Sequence, residues 1–256
     1  MTTRPDEGID LLSTLTRRVL FAPLADHGRA GAVAERLRTA ITLGILAENE
    51  QLPSETTLAA QFNISPVTLR DALTALRADG LVTTRRGRGG GTVVSGPLPD
   101  QRRVLLDQVS GLSSIDLRDQ ADWRRAVSVE AARLAARRAS REDIGLLERG
   151  SANARSATDA VSARRADSRY FIQLAAASQS SQLSAASIRL QVEYAPVLTL
   201  TYAEARTRED VAALLTTLTT AVQDADVEAA GLTAARVVDL VASRAASLRA
   251  NGWKHA

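Results

Sequence analysis

The chain contains no cysteine, which excludes a disulfide framework, thiolate metal sites, iron–sulfur ligation and a cysteine nucleophile together. Histidine is nearly as scarce. His27 and His255 are the two present, and both fall outside the long periodic segments, so a histidine-based active site or metal cage is hard to assemble. No apolar run approaches the roughly 20 residues that a membrane-spanning helix needs. The opening MTTRPDEGID also lacks the basic-then-apolar order of a secretion signal. These absences predict a soluble, unprocessed, cytoplasmic protein with no membrane partner. What the chain does have is 256 residues, 45% of them hydrophobic and 24% charged, enough to bury one large core or two ordinary ones. Its 32 basic and 29 acidic residues nearly balance, yet they are segregated. No acid occurs from Gly80 to Pro99, where Arg85, Arg86 and Arg88 surround a glycine cluster.

Residues 1–28 carry no sustained period and read as an N-terminal arm. Val33, Leu37 and Ile41 recur at helical spacing in a segment from about Arg29 to Leu46. A polar break over Ala47 to Leu52 leads to Pro53-Ser54-Glu55, a helix-entry signal in which Ser54 caps open amides and Glu55 favours the positive end of the dipole. The short helix from Glu55 to Phe62 offers Leu58, Ala59 and Phe62 to a core. After a tight Asn63-Ile64-Ser65 connection, Pro66 takes the first helical position with Ser65 as its cap. Leu69, Ala72, Leu73 and Leu76 then form a buried stripe, and the opposite face carries Val67, Arg70, Asp71 and Thr74, with Thr68 on its flank. Gly80 suits a left-handed helix stop. The runs Leu81–Thr84 and Thr92–Val94 flank RRGRGGG and read as a hairpin with a glycine-rich tip. That glycine run lacks the Lys-Ser/Thr ending of a nucleotide-binding P-loop.

Helix, helix, tight turn, helix and basic hairpin is the order of a winged helix-turn-helix. ERLRTAITLGIL, LPSETTLAAQFNISPVTLRDALTALRADGLV and RRGRGGGTVV resemble the DNA-binding domain of the GntR family of bacterial transcription regulators. The resemblance implies that the third helix enters the major groove by its N-terminal end, while the wing follows the backbone or minor groove. The family's contacting positions fall on Ser65, Pro66, Val67, Thr68 and Arg70, on Thr56 of the preceding helix, and on Arg86 with Gly87 of the wing. Thr74 of the same helix face and Arg85 and Arg88 of the basic hairpin complete the candidate DNA-binding set. Many relatives carry arginine where this chain has Thr56 and Pro66. Each such replacement removes a possible bidentate base contact, worth about 1–3 kcal/mol of discrimination.

SGPLPD marks a linker, giving a winged helix-turn-helix over 29–95, a linker over 96–101 and a second domain over 102–250. In that second part no strand-like alternation persists. Helices are expected near 102–111, 117–138, 141–158, 161–178, 182–205, 208–224 and 227–249, and an antiparallel bundle would bury their apolar stripes. The predicted fold class is therefore mainly α, a winged helix-turn-helix followed by an all-α bundle. The DxxYF segment at Asp167, WRRAVSVEAARLAA at Trp123 and AVQDADVEAA at Ala221 resemble the FCD effector domain of the FadR subgroup.

Such domains commonly hold a divalent metal through an aspartate, a histidine one turn later and two histidines on the last helices. The corresponding positions here are Asp167, Phe171, Leu215 and Val237. One carboxylate among apolar groups cannot make an N/O metal site, so no metal and no other cofactor is expected. Instead, Phe171, Leu215 and Val237 would line an apolar effector pocket. Arg124, where the family often keeps arginine, would pair with Asp167 or hold the acid group of a lipophilic carboxylate or acyl ligand. The resulting expectation is a ligand-responsive regulator, a repressor as is commoner in the family, that binds a palindromic double-stranded DNA operator as a homodimer. The alternative is an architectural or effector-independent DNA-binding dimer whose helical domain only dimerises, and a void in the bundle would separate the two. An enzyme is not expected, because the bundle offers no histidine, no cysteine and no recognisable acid–base pair.

Overall fold

The computed structural model describes residues 29–42, 46, 48–85, 90–95 and 101–253, with backbone alone for 29, 42 and 101–104. The expected arm, the wing tip with Arg86, Gly87 and Arg88, most of the linker, and both histidines lie outside the described residues. The chain divides into two compact units between Gln101 and Arg102.

The first unit runs α1 (Arg29–Thr42), α2 (Glu55–Phe62), α3 (Pro66–Ala78), β1 (Val82–Arg85) and β2 (Gly91–Val94). Its helix ends are set by local chemistry. Ser54 Oγ accepts from the Thr57 amide at 3.2 Å, and Ser65 Oγ from the Thr68 amide at 3.1 Å. Asn63 makes the turn between α2 and α3 in the left-handed region, at φ 53°, a conformation asparagine tolerates better than most residues. Gly80, at φ 70°, closes α3: its amide bonds the Arg77 carbonyl, and the Leu81 amide bonds that of Leu76. That is the paired bonding of a Schellman stop. Val33, Leu37, Leu58, Phe62, Leu69, Leu73, Val82 and Val94 form the core of this unit.

Two expectations are corrected in this unit. The first helix does not run to Leu46, whose amide reaches back six residues to the Ala40 carbonyl. The polar stretch before Leu52 is also more than a break. Gln51 bridges Val93, the Leu52 amide bonds the Thr92 carbonyl, and the Val94 amide bonds the Glu50 carbonyl. The β1–β2 hairpin, in register Val82↔Val94 through Arg85↔Gly91, thus gains a third short edge. Polar composition hides that pairing because the bonds are made by the backbone.

The second unit is helical throughout its described length: α4 (Gln101–Ser110), α5 (Ser114–Arg138), α6 (Arg141–Ser156), α7 (Ala160–Ala177), α8 (Ser181–Glu193), α9 (Ala195–Thr201), α10 (Ala205–Gln223) and α11 (Val227–Ala250). Reciprocal capping boxes start three of these helices, at Ser113/Asp116, Ser140/Asp143 and Asp159/Ser162. The first sets α5 three residues earlier than periodicity suggests. The helix expected over 182–205 is broken after Glu193. Pro196 has no amide to give the Val192 carbonyl, and its ring would collide with that oxygen in a continuous helix. Alanine, leucine and valine from α5, α6, α7, α9, α10 and α11 share one core with Tyr170, Phe171, Tyr194 and Tyr202. Trp253 follows α11, its side chain buried and its amide 2.8 Å from the Leu248 carbonyl, whereas Trp123 on α5 leaves half its surface exposed. Among the described residues, no helix is long and apolar enough to cross a membrane.

The α10–α11 turn carries a testable strain. Ala225 sits at φ 56° and makes a Schellman stop, its amide on the Val222 carbonyl and the Asp226 amide on that of Ala221. A side chain there costs about 1–2 kcal/mol, and the extra unfolded-state freedom of glycine returns about 0.4–1 kcal/mol of that. Ala225→Gly is expected to raise the melting temperature by roughly 1–4 °C; a lower melting temperature would contradict the strain.

Candidate functional site

Helix α3 presents its N-terminal face to solvent because its apolar stripe points the other way. Leu69, Ala72, Leu73 and Leu76 are buried, while Ser65, Pro66, Val67, Arg70 and Thr74 are exposed and Thr68 is half-buried. Val67 is 64% exposed, an apolar side chain on a polar face and suited to a thymine methyl. The polar members are already engaged. Ser65 caps the Thr68 amide and also meets the Thr68 hydroxyl at 2.8 Å. Thr74 donates to the Arg70 carbonyl at 2.8 Å. Arg70 Nε lies 2.9 Å from Glu55 Oε2, an exposed pair that links α3 to the start of α2. Such a pair contributes about 0–1 kcal/mol, so it orients the guanidinium without fixing it. Pro66 has no amide, and the Thr68 and Leu69 amides bond within the cap. The Val67 amide is left as the donor at this end that a phosphate could take. Arg85, at the end of β1, is exposed and 3.3 Å from Asn49 Oδ1. Thr56 is exposed on α2.

The second constellation lies inside the helical unit. Arg124 of α5 and Asp167 of α7 are each 1% exposed, and Arg124 Nη2 is 2.7 Å from Asp167 Oδ2. Tyr202, after α9, donates to the other carboxylate oxygen at 3.0 Å. The Arg124 guanidinium also stands 4.9 Å from the centre of the Phe171 ring and 5.5 Å from that of Tyr194, within cation–π range. Burial pushes the Asp167 carboxyl above the usual carboxylate range, against the pull of Arg124 and Tyr202. Burial likewise pushes up the phenols of Tyr194 and Tyr202.

The structure therefore brings Arg124, Asp167 and Phe171 into one cluster. It places Leu215 of α10 and Val237 of α11 in the same apolar core, each without exposed surface. Sequence reasoning missed Tyr194, Tyr202 and Arg164. The last, one turn before Asp167 on α7, is 5% exposed. A helix-face projection from Asp167 would have found Arg164, but nothing local points to the tyrosines.

The donor set does not fit a metal ion. Both Asp167 oxygens are committed to Arg124 and Tyr202, and the companion positions are phenylalanine, leucine and valine. Among the described residues, no group of three metal-ligating side chains comes together.

Comparison with known proteins adds two domain assignments. The profile of bacterial regulatory proteins of the gntR family matches residues 29–94, and that of the FCD domain matches residues 119–240. A protein of Mycobacterium gastri named as the HTH-type transcriptional regulator RmpR is 37% identical over 174 residues, covering 68% of this chain and 64% of that one. The HTH-type transcriptional repressor NanR of Escherichia coli O1:K1 / APEC is 31% identical over 144 residues, 54% of this chain and 53% of its own. This chain thus spans between half and two thirds of these curated relatives. The solved structure of E. coli McbR/YncC aligns with 90% of this chain and 99% of its own at a TM-score of 0.50 and 14% identity, a likeness of fold.

Proposed function

Since the chain belongs to the GntR family of bacterial regulators and joins its helix-turn-helix to an FCD domain in the FadR-type arrangement, we propose that it is a ligand-responsive transcription regulator. It binds a palindromic double-stranded operator as a cytoplasmic homodimer and acts as a repressor. The observation that carries this reading is the solvent-facing N-terminal end of α3. Ser65, Val67, Thr68, Arg70 and Thr74 lie on a rigid, capped helix whose other face is core, the geometry that a major-groove reader needs. Arg85 and, beyond the described residues, Arg86, Gly87 and Arg88 would follow the DNA backbone. NanR is named a repressor, which supports that sign of control here.

The effector site is the buried cluster of Arg124, Asp167, Phe171, Leu215 and Val237, where the acid group of a lipophilic carboxylate or acyl compound would meet Arg124. A ligand that binds one arrangement of the dimer more tightly than the other would change the spacing of the two reading helices, and so the DNA affinity. The burial of Phe171, Leu215 and Val237 in one shared apolar core supports a second reading, in which the helical unit only dimerises.

Mobility shift with the DNA upstream of the chain's own gene, run over a salt series, tests the main reading. The expected result is a complex at least a hundredfold tighter than on random duplex, with two chains per operator by light scattering. Equal affinity for random and upstream DNA, or a monomer under all conditions, would overturn it.

A further inference from the structure

Helix α3 leaves one large apolar side chain in solvent. Val67, in its first turn, is 64% exposed, while Leu69, Leu73 and Leu76 are buried. Asp71 and Thr74 follow Val67 at helical spacing on the same face, and both are exposed. The hydroxyls and the guanidinium around Val67 are spent on local bonds: Ser65 and Thr68 on each other, Thr74 on the Arg70 carbonyl, Arg70 on Glu55. Asp71 is a carboxylate with no basic partner among the described residues. A line of side chains that includes such a carboxylate cannot lie along the phosphates, where like charges would meet. With α3 in the major groove, the line from Val67 through Asp71 to Thr74 therefore faces base edges. There the groove offers a valine one apolar feature. Guanine, adenine and cytosine present donors and acceptors only, and thymine adds its C5-methyl group. Set against a polar edge, Val67 would strip water from groups it cannot bond. Set against the methyl, it buries apolar surface on both sides of the contact.

We infer that Val67 is a specificity-determining residue that recognises the C5-methyl group of a pyrimidine in each operator half-site. The inference rests on α3 being the DNA-reading element, and it adds what one position of that reader selects. Uracil lacks the methyl and is rejected at that position. 5-Methylcytosine carries it and is preferred to cytosine, so binding responds to cytosine methylation wherever an operator sets a cytosine against Val67.

The test uses the full chain to enrich duplexes from a random library, and then replaces each thymine of the enriched sequence in turn by uracil. That change deletes the methyl and keeps every hydrogen-bonding group. One thymine in each half-site is expected to be sensitive, with binding about fourfold weaker for each methyl removed. At the same position, a cytosine·guanine pair is expected to bind about fourfold more tightly once the cytosine is 5-methylated. Val67→Ser changes an exposed side chain, so its melting temperature should stay close to that of wild type. The variant is expected to bind the thymine and uracil duplexes equally, and the side chain and the methyl then show coupling in a double-mutant cycle. Enrichment in which no thymine is sensitive to uracil, or a sensitivity that survives in Val67→Ser, would overturn the inference and leave α3 as the reader. No enriched sequence at all would overturn the DNA-binding reading together with the inference.

Discussion

Replacing Arg124 by methionine is expected to destabilise the helical unit by about 3–5 kcal/mol, because it removes the one guanidinium ion-paired with the buried Asp167 carboxylate, at 2.7 Å, and leaves it the Tyr202 hydroxyl and the unbridged charge of Arg164. For a unit of this size the melting temperature falls by roughly 6–20 °C. The cost belongs to the orphaned charge rather than to the lost pair. The double variant Arg124→Met/Asp167→Leu is therefore expected to recover part of the loss, Arg164 being left buried without the Asp167 charge, and a double-mutant cycle reads the coupling directly. Strictly additive single effects would show that the two groups do not act as a pair.

A pH series gives an independent reading of the same pair. Burial already pushes the Asp167 carboxyl up, and Arg124 opposes that push. Without Arg124 the folded variant keeps a proton that the unfolded chain releases near the ordinary carboxylate value of about 4. Its stability is then greatest in acid and falls as pH rises through the elevated value. The deficit of Arg124→Met against wild type should be smaller at pH 5 than at pH 8, and a deficit independent of pH would contradict this account.

Alanine at Arg70 is expected to weaken operator binding roughly 5- to 150-fold with little change in melting temperature. The side chain is 65% exposed and its pair with Glu55 contributes about 0–1 kcal/mol. Titration on operators altered one base pair at a time shows what Arg70 touches. A base-edge contact appears as lost discrimination at one position, and a phosphate contact as uniform weakening with a salt slope lower by about one. Wild-type affinity in this variant would remove Arg70 from the interface.

The parts of the molecule legible in the sequence are those decided by neighbours in the chain. Ser54, Ser65 with Pro66, and Gly80 announce helix ends because a cap or a left-handed stop needs a particular residue within three or four positions of the bonds it satisfies. The stripe Leu69, Ala72, Leu73 and Leu76 announces the buried face of α3 for the same reason. What stayed hidden depends on partners far away. The bridge from Gln51 to Val93 is a backbone contact that side-chain type does not encode. The phenol of Tyr202 finds Asp167 across 35 positions, and the ring of Tyr194 reaches Arg124 across the bundle. Arg164 falls between these cases. Its place on the face of Asp167 follows from helical spacing, yet its burial depends on the helices packed over it. Proline at 196 could have signalled the break between α8 and α9, but an amphipathic pattern that continues on both sides of it hides the interruption.

The two tryptophans sit in opposite surroundings, Trp123 half in water and Trp253 walled off by the end of the bundle. Native fluorescence of the unmodified protein should therefore split into a longer-wavelength component that acrylamide quenches and a shorter-wavelength component that it does not. Trp123 adjoins Arg124 on one helix, so any rotation of that helix would register in the quenchable fraction while Trp253 serves as an internal standard. Were the Arg124–Asp167 cluster to take an effector as proposed, its occupancy could thus be followed optically with no label attached.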